Sequence, residues 1–251
     1  MTSVKAAATT ARPLVWRVAT VAEIREESVA ARTLVLDVPD WPGHLAGQHV
    51  DVRLTAEDGY AAQRSYSLAS DPSTVEITIQ RVSRGEVSPY LCDIAQVGDQ
   101  FELRGPVGGY FTWEPSRVDP VLLVAGGSGI VPLMAMVRTR RSAGSRVPFR
   151  LVYSVRDPDN LIYGEELIRR VRDDFGLDVT FVYTRQTPPG WARPAGRLTG
   201  TVLAESGWPA SFEPACYVCG PTGFVEAAAN LLVDAGHEPA RIRTERFGPT
   251  S

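Results

Sequence analysis

The chain is poor in the residues that build metal and disulfide centres. Its 251 residues include three cysteines and three histidines. Three cysteines are too few for a disulfide scaffold and odd in number, which points to a reducing compartment, with the cytoplasm expected. His44, His49 and His237 show no metal-ligand spacing, and His49 reads as structural. Cys216 and Cys219 match C-x-x-C, but a structural zinc site needs four ligands and the rest of the set is missing. Both lie on a strand pattern, whereas a dithiol centre belongs at a helix start. Cys216 therefore reads as core, and Cys219, at the strand end, is placed to face a ligand.

Other absences narrow the field further. No apolar run approaches the length of a membrane span. The net charge of −3 gives no reason to expect nucleic acid or an anionic membrane as partner. No G-x-S-x-G elbow occurs, which removes the usual signal of a serine hydrolase. The dinucleotide fingerprint G-x-G-x-x-G is incomplete, because Pro132 stands where its last small residue belongs. Residues 1–12 are small, polar and mildly basic, without the apolar centre of a signal peptide. They read as a disordered lead-in, with an organellar transit segment as the minor alternative.

What is present is a globular composition, 44% hydrophobic and 22% charged, in a chain long enough for two cores. The first half is strand-like. Residues 16–23, 32–38, 49–54, 64–69, 75–82 and 100–104 alternate apolar and polar residues or are β-branched. Pro39-Asp40, Asp58-Gly59, Asp71-Pro72 and Gly98-Asp99 separate them as turns. One short helix is expected over 88–95, with Ser88 as its cap and a proline at its first position. This pattern suggests an N-terminal six-stranded antiparallel β-barrel.

The pattern changes after Trp113. A polar, proline-bounded connector over 115–120 divides a domain of 13–114 from one of 115–251. Strands are expected at 121–125, 149–154, 179–184, 217–219 and 241–245. Helices are expected at 129–141, 164–175 and 222–235, and a long proline- and glycine-rich loop over 186–196. Alternating strands and helices imply a C-terminal α/β parallel-sheet nucleotide-binding domain.

Several short motifs carry chemistry. Gly126, Gly127 and Gly129 lie between a strand and a helix, where unpaired amides and the helix dipole favour an anion such as a pyrophosphate. Ser128 adds a hydroxyl. Arg64-Ser65-Tyr66-Ser67 combines a forked phosphate donor, a flat stacking surface and a short hydroxyl. Gly85 and Ser88 frame a second candidate phosphate turn, although helix capping explains Ser88 as well. Arg156, Arg185, Arg193 and Arg197 follow two successive strands, at the sheet edge where α/β folds bind ligands. They suit an extra phosphate such as the 2′-phosphate of NADP, Arg185 first because it follows its strand directly. Glu165 and Glu166 read as a response to a helix dipole.

Taken in order, these residues resemble the ferredoxin–NADP reductase superfamily over nearly the whole chain, from Trp16 to Gly248. The resemblance implies a barrel that binds FAD and an α/β domain that binds NAD(P)H. The family's R-x-Y-S maps onto Arg64, Tyr66 and Ser67. This implies that Arg64 holds flavin phosphate, Tyr66 packs on the isoalloxazine and Ser67 meets its N5 edge. G-x-x-S maps onto Gly85 and Ser88 and implies a pyrophosphate, hence FAD over FMN; Ser65, Arg81 and Val87 fall in the same flavin-binding segments. Gly127, Ser128 and Gly129 correspond to the family's G-T-G with serine for threonine. Cys219 and Gly220 match the segment that meets the nicotinamide, and Glu245 and Phe247 the segment that closes over the flavin.

The resemblance also implies that Ser67, Cys219 and Glu245 line a hydride path, with NADPH favoured over NADH. Some members carry a ferredoxin domain whose cluster needs C-x4-C-x2-C and a further cysteine. These cysteines do not supply it, so a separate ferredoxin or similar carrier, feeding a P450 or an oxygenase, is the expected partner of a monomer. Two alternatives stay open: a flavin reductase that releases reduced flavin, and a non-enzymatic NAD(P)-sensing or assembly module.

Overall fold

The computed structural model describes residues 14–248. The expected lead-in, 1–12, lies outside the described residues. The first half forms six strands: β1 Trp16–Ser28, β2 Ala31–Asp37, β3 His49–Thr55, β4 Ala61–Ser67, β5 Val75–Gln80 and β6 Gln100–Val107. Every pairing is antiparallel, in the order β4-β3-β6-β1-β2-β5. The outer strands approach one another beyond their ends. Leu68 bridges Ile77, and the Ala69 amide donates to the Glu76 carbonyl at 2.8 Å. The sheet thus curls into the expected barrel. β1 runs longer than its alternation predicts because two register shifts against β2 let it bend around the barrel.

Inside lie Leu34, Val50, Val52, Leu68, Ile77, Ile79 and Leu103, all fully buried. Helix α1, Val87–Pro89, continues as a π-turn, Tyr90–Ile94, and drops Val87 and Leu91 into the same core. This corrects the expected start of the helix. Ser88 is not its cap: the burial of Val87 pulls the first turn one residue earlier, and the Ser88 hydroxyl accepts from the Val82 amide at 3.1 Å.

The second half is a parallel sheet, β11-β10-β7-β8-β9. Its strands are β7 Val121–Gly126, β8 Phe149–Val155, β9 Leu177–Tyr183, β10 Ala215–Pro221 and β11 Ile242–Phe247. β7 is central and wholly buried. Its Val121, Leu123 and Ala125 pack with α2, Ile130–Ser142, and α3, Gly164–Asp173, while Leu122 and Val124 pack with α4, Gly200–Ser206, and α5, Thr222–Asp234. Strands covered on both faces lose the polar alternation of an open sheet. Helix α4 is absent from the sequence expectation. It is short, and its one signal is Thr199, whose hydroxyl accepts from the Val202 amide at 3.3 Å.

The seam between the two halves is itself a core. Ala31, Ala46, Ala69, Phe111 and Trp113 share one apolar cluster with α2 and the second sheet. Trp113 meets Phe149 edge-on at 5.0 Å. The Thr112 carbonyl accepts from the Tyr217 hydroxyl at 3.0 Å and from Arg243 at 2.9 Å. Among the described residues, no helix is long and apolar enough to cross a membrane.

Candidate functional site

Period-two alternation along β4 sorts its motif. Arg64 and Tyr66 stand opposite Val52 and Val50 and share the barrel's inner side, while Ser65 and Ser67 stand opposite Asp51 and His49. Arg64 is exposed, and its guanidinium contacts only the neighbouring Gln63 carbonyl, at 2.6 Å. Tyr66 is half-buried against the barrel core, and burial pushes its phenol well up. The Ser65 hydroxyl is already committed, donating to Asp51 at 2.7 Å, and Asp51 is held also by Arg104. Ser67 is buried, and its hydroxyl has no hydrogen-bond partner. A buried hydroxyl without a partner costs about 1–3 kcal/mol, so this is where a bound polar group would repair a deficit.

The 85–88 turn lies against β4. Its amides and Arg64 fit a phosphate, but its side chains are partly committed. Ser88 is tied to Val82, and exposed Arg81 pairs with Asp93 at 2.6 Å. A contact with no sequence signal crosses the turn: the Tyr60 hydroxyl donates to the Glu86 carboxylate, 3.1 Å from each oxygen.

The second glycine turn is built by backbone proximity. A Cβ on Gly129 would lie 2.1 Å from the Cys219 carbonyl oxygen, so only glycine allows α2 to start against β10. Gly127 has φ +54° and open space where a Cβ would sit. The turn therefore places its amides, with half-buried Ser128, at a helix N-terminus, where an anion is favoured.

Cys219 sits at the carboxyl end of β10, in register with Ala125 on one side and Glu245 on the other. It is fully buried. Burial and the adjacent Glu245 carboxylate hold its thiol well above the ordinary value, so it serves as a neutral packing surface. Cys216 packs on the opposite face of the sheet, with Val225, Ala228 and Leu232, and its Sγ lies 3.9 Å from His237 Nδ1. The two thiols of the C-x-x-C are separated by the sheet and belong to different apolar clusters. Burial lifts the Glu245 carboxyl to about 7. Phe247 is half-buried beside the seam cluster and in register with Pro221.

At the far end of the sheet, Arg156 and Arg185 are neighbours, the Arg185 amide donating to the Arg156 carbonyl at 2.9 Å. Both are exposed and, among the described residues, make no ion pair. Arg193 is committed to Glu205 at 2.9 Å. Trp191, on the 186–196 loop, meets Tyr183 edge-on at 5.3 Å. Glu166 departs from the dipole reading, because it pairs with Arg138 and Arg170, each at 2.6 Å.

The fold agrees with that of known proteins. Residues 18–112 match the model of the oxidoreductase FAD-binding domain, and residues 123–230 that of the oxidoreductase NAD-binding domain. The chain belongs to the ferredoxin–NADP reductase superfamily. It is 35% identical over 209 residues to the glycine betaine monooxygenase reductase subunit of Pseudomonas aeruginosa, covering 81% of this chain and 56% of that one. It is 32% identical over 238 residues to the ferredoxin reductase component of 3-ketosteroid-9-alpha-monooxygenase from Mycolicibacterium smegmatis, covering 90% of this chain and 64% of that one. The chain therefore spans somewhat more than half the length of these curated relatives. The FAD/NAD-binding domain of a Vibrio cholerae nitric oxide dioxygenase superposes with TM-score 0.83 at 27% identity, covering 93% of this chain and 99% of that domain. As a superfamily member, the chain pairs an FAD-binding barrel with a pyridine-nucleotide-binding domain, in the order its motifs predict.

Proposed function

We propose that this protein is an NAD(P)H reductase that passes electrons through FAD to a separate carrier such as a ferredoxin, serving an oxygenase. The observation that carries the reading is Cys219 and Glu245 side by side at the carboxyl edge of the sheet, with the unpartnered Ser67 hydroxyl at the barrel end of the seam. FAD, when bound, supplies the exchange between a hydride and single electrons. The protein's own part is binding, orientation and proton placement. Residues 13–114 would hold FAD through Arg64, Tyr66, Ser67 and the 85–88 turn. Residues 115–251 would hold the nucleotide through Gly127, Ser128 and Gly129, with Arg156 and Arg185 on a 2′-phosphate, favouring NADPH. Cys219 and Gly220 would set the depth of the nicotinamide without lending charge to it. Glu245 carries its proton up to about neutral pH, which keeps an extra negative charge away from the hydride path. Three buried free thiols suit a reducing compartment such as the cytoplasm.

One observation favours the flavin-releasing alternative: Ser88 is already bonded to Val82, and Glu86 places a carboxylate in the phosphate turn. A single experiment separates the readings. Purified protein, reconstituted with FAD and desalted, should keep a flavin spectrum that NADPH or NADH bleaches without oxygen. Loss of flavin on desalting would favour the releasing enzyme. A retained flavin that neither nucleotide bleaches would overturn both.

A further inference from the structure

Helix α2 leaves the glycine turn and runs along the seam through an apolar stretch, Ile130 to Val137, all of it buried. The next residue is Arg138, about two turns from the start of the helix. Its side chain is only 10% exposed. The guanidinium is a planar fork of five donors, and its bonds span both domains. Nη1 donates to the Ala69 carbonyl and to the Glu76 carboxylate, each at 2.9 Å. Nη2 and Nε grip the two oxygens of Glu166 at 2.6 and 3.2 Å. The Tyr163 ring lies 4.9 Å away, and the Tyr163 hydroxyl is hydrogen-bonded to Thr78 of the barrel.

The barrel partners are informative. Ala69 follows Ser67 by one intervening residue, and its amide is bonded to the Glu76 carbonyl. Arg138 holds both the Ala69 carbonyl and the Glu76 side chain, so the segment that carries Ser67 is fixed from the nucleotide domain. The other end of α2 is the glycine turn, packed on the Cys219 carbonyl. One helix therefore touches the exit of the R-x-Y-S strand at one end and the C-G-P turn at the other. Net stability is a weak explanation for such a residue, because the cost of desolvating a buried charge offsets most of what its pairs return. Fixed geometry is the stronger one.

We propose that Arg138 is a positioning residue for hydride transfer, setting the Ser67 end of β4 against the nucleotide-binding turn of α2. This rests on the reductase reading above. A lysine keeps the charge but presents a single point, unable to hold three acceptors in one plane. A displacement of about 1 Å between reacting groups can cost about a hundredfold in rate.

The test uses FAD-loaded wild-type, Arg138→Lys and Glu166→Gln proteins in anaerobic stopped flow. Glu166→Gln leaves the barrel contacts of Arg138 in place and loosens its anchor in the second domain, together with the Glu166–Arg170 pair on the same helix, so it serves should Arg138→Lys fail to fold. Flavin reduction by NADPH should slow at least tenfold in Arg138→Lys and about threefold or more in Glu166→Gln. The nucleotide concentration for half-maximal rate should change less than threefold. Reoxidation of dithionite-reduced protein by ferricyanide, which needs no nicotinamide alignment, should keep its wild-type rate. Wild-type reduction rates in the folded variants, or equal slowing of both half-reactions, would overturn the proposal. Failure of NADPH and NADH to reduce the wild-type flavin would instead bring down the reductase reading and the proposal with it.

Discussion

The two glycine turns are shaped by different means. At residues 85–88 the glycine is crowded mainly by a side chain: a Cβ on Gly85 would lie 3.1 Å from the Ser88 hydroxyl, which can rotate away. At 126–129 the obstacle is backbone, the Cys219 carbonyl oxygen 2.1 Å from a Cβ on Gly129. The barrel turn is shaped by side chains that already have other bonds, to Val82, Asp93 and Tyr60. The α2 turn is shaped by the packing of a helix against a sheet and is finished before any ligand arrives. The first is open to adjustment, and the second is part of the fold.

The sharpest way to break this contrast is Gly129→Ala. The α2 turn cannot yield without moving β10, so a loss of about 3 kcal/mol in unfolding free energy is expected, as for an overpacked core. Gly127→Ala, with open space but φ +54°, should cost only about 1 kcal/mol. Denaturant titration of both variants checks the pair. Equal costs would mean that the Cys219 contact does not set the turn.

Arg64→Ala should act on binding and leave stability alone, because the guanidinium is exposed and holds only the Gln63 carbonyl. Loss of one charge-assisted phosphate contact, about 1.5–3 kcal/mol, should weaken FAD by one to two decades. Fluorescence titration of the apoprotein reads this directly, and an unchanged affinity would remove Arg64 from the flavin site.

Glu245 gives a pH test with a definite sign. Its carboxyl is raised from 4.5 to about 7 by burial, so the native state holds a proton that the unfolded chain has released. Between these values stability should fall as pH rises, by about 2 kcal/mol in all for a half-buried group. Glu245→Gln should lack that fall. Chemical unfolding of both proteins at pH 5 and pH 8 compares them, and parallel pH profiles would contradict a raised Glu245.

A modest effect on the reaction is expected of Arg185→Ala. Losing one of two exposed arginines should lower kcat/KM for NADPH about tenfold and leave NADH nearly unchanged. A wild type that shows no preference between the nucleotides would place the 2′-phosphate contact elsewhere.

Much of this was legible in the residues. The barrel strands follow from period-two alternation and turn residues, and the parallel sheet from buried apolar runs between helices. The glycines and the R-x-Y-S residues stand out by type and order, because their chemistry is local. Arg138 gave no such signal. It lies in the same helix as Arg140 and Arg141, and nothing in its neighbours marks it as the residue that faces the barrel. Glu166 read as a helix-dipole carboxylate because its partner lies far along the chain. The helix over 87–94 started earlier than its Ser-Pro signal because Val87 is drawn into the barrel core.

The sequence by itself determined the order of domains, the strand and helix periods and the family to which the chain belongs, since these depend on spacing between near neighbours. Only the tertiary structure decided which polar groups are committed and which are free. Ser65, Arg81 and Arg193 carry the right chemistry but are held by Asp51, Asp93 and Glu205. Ser67 is buried with no partner, and Arg156 and Arg185 make no ion pair among the described residues. Whether a donor is available depends on what the fold brings within about 3 Å of it, and the Ser65–Asp51 and Arg193–Glu205 partners come from separate elements. The same holds for the two cysteines of one C-x-x-C. Their spacing is fixed by the sequence, but the sheet places one in the core beneath α5 and the other at the seam between the domains.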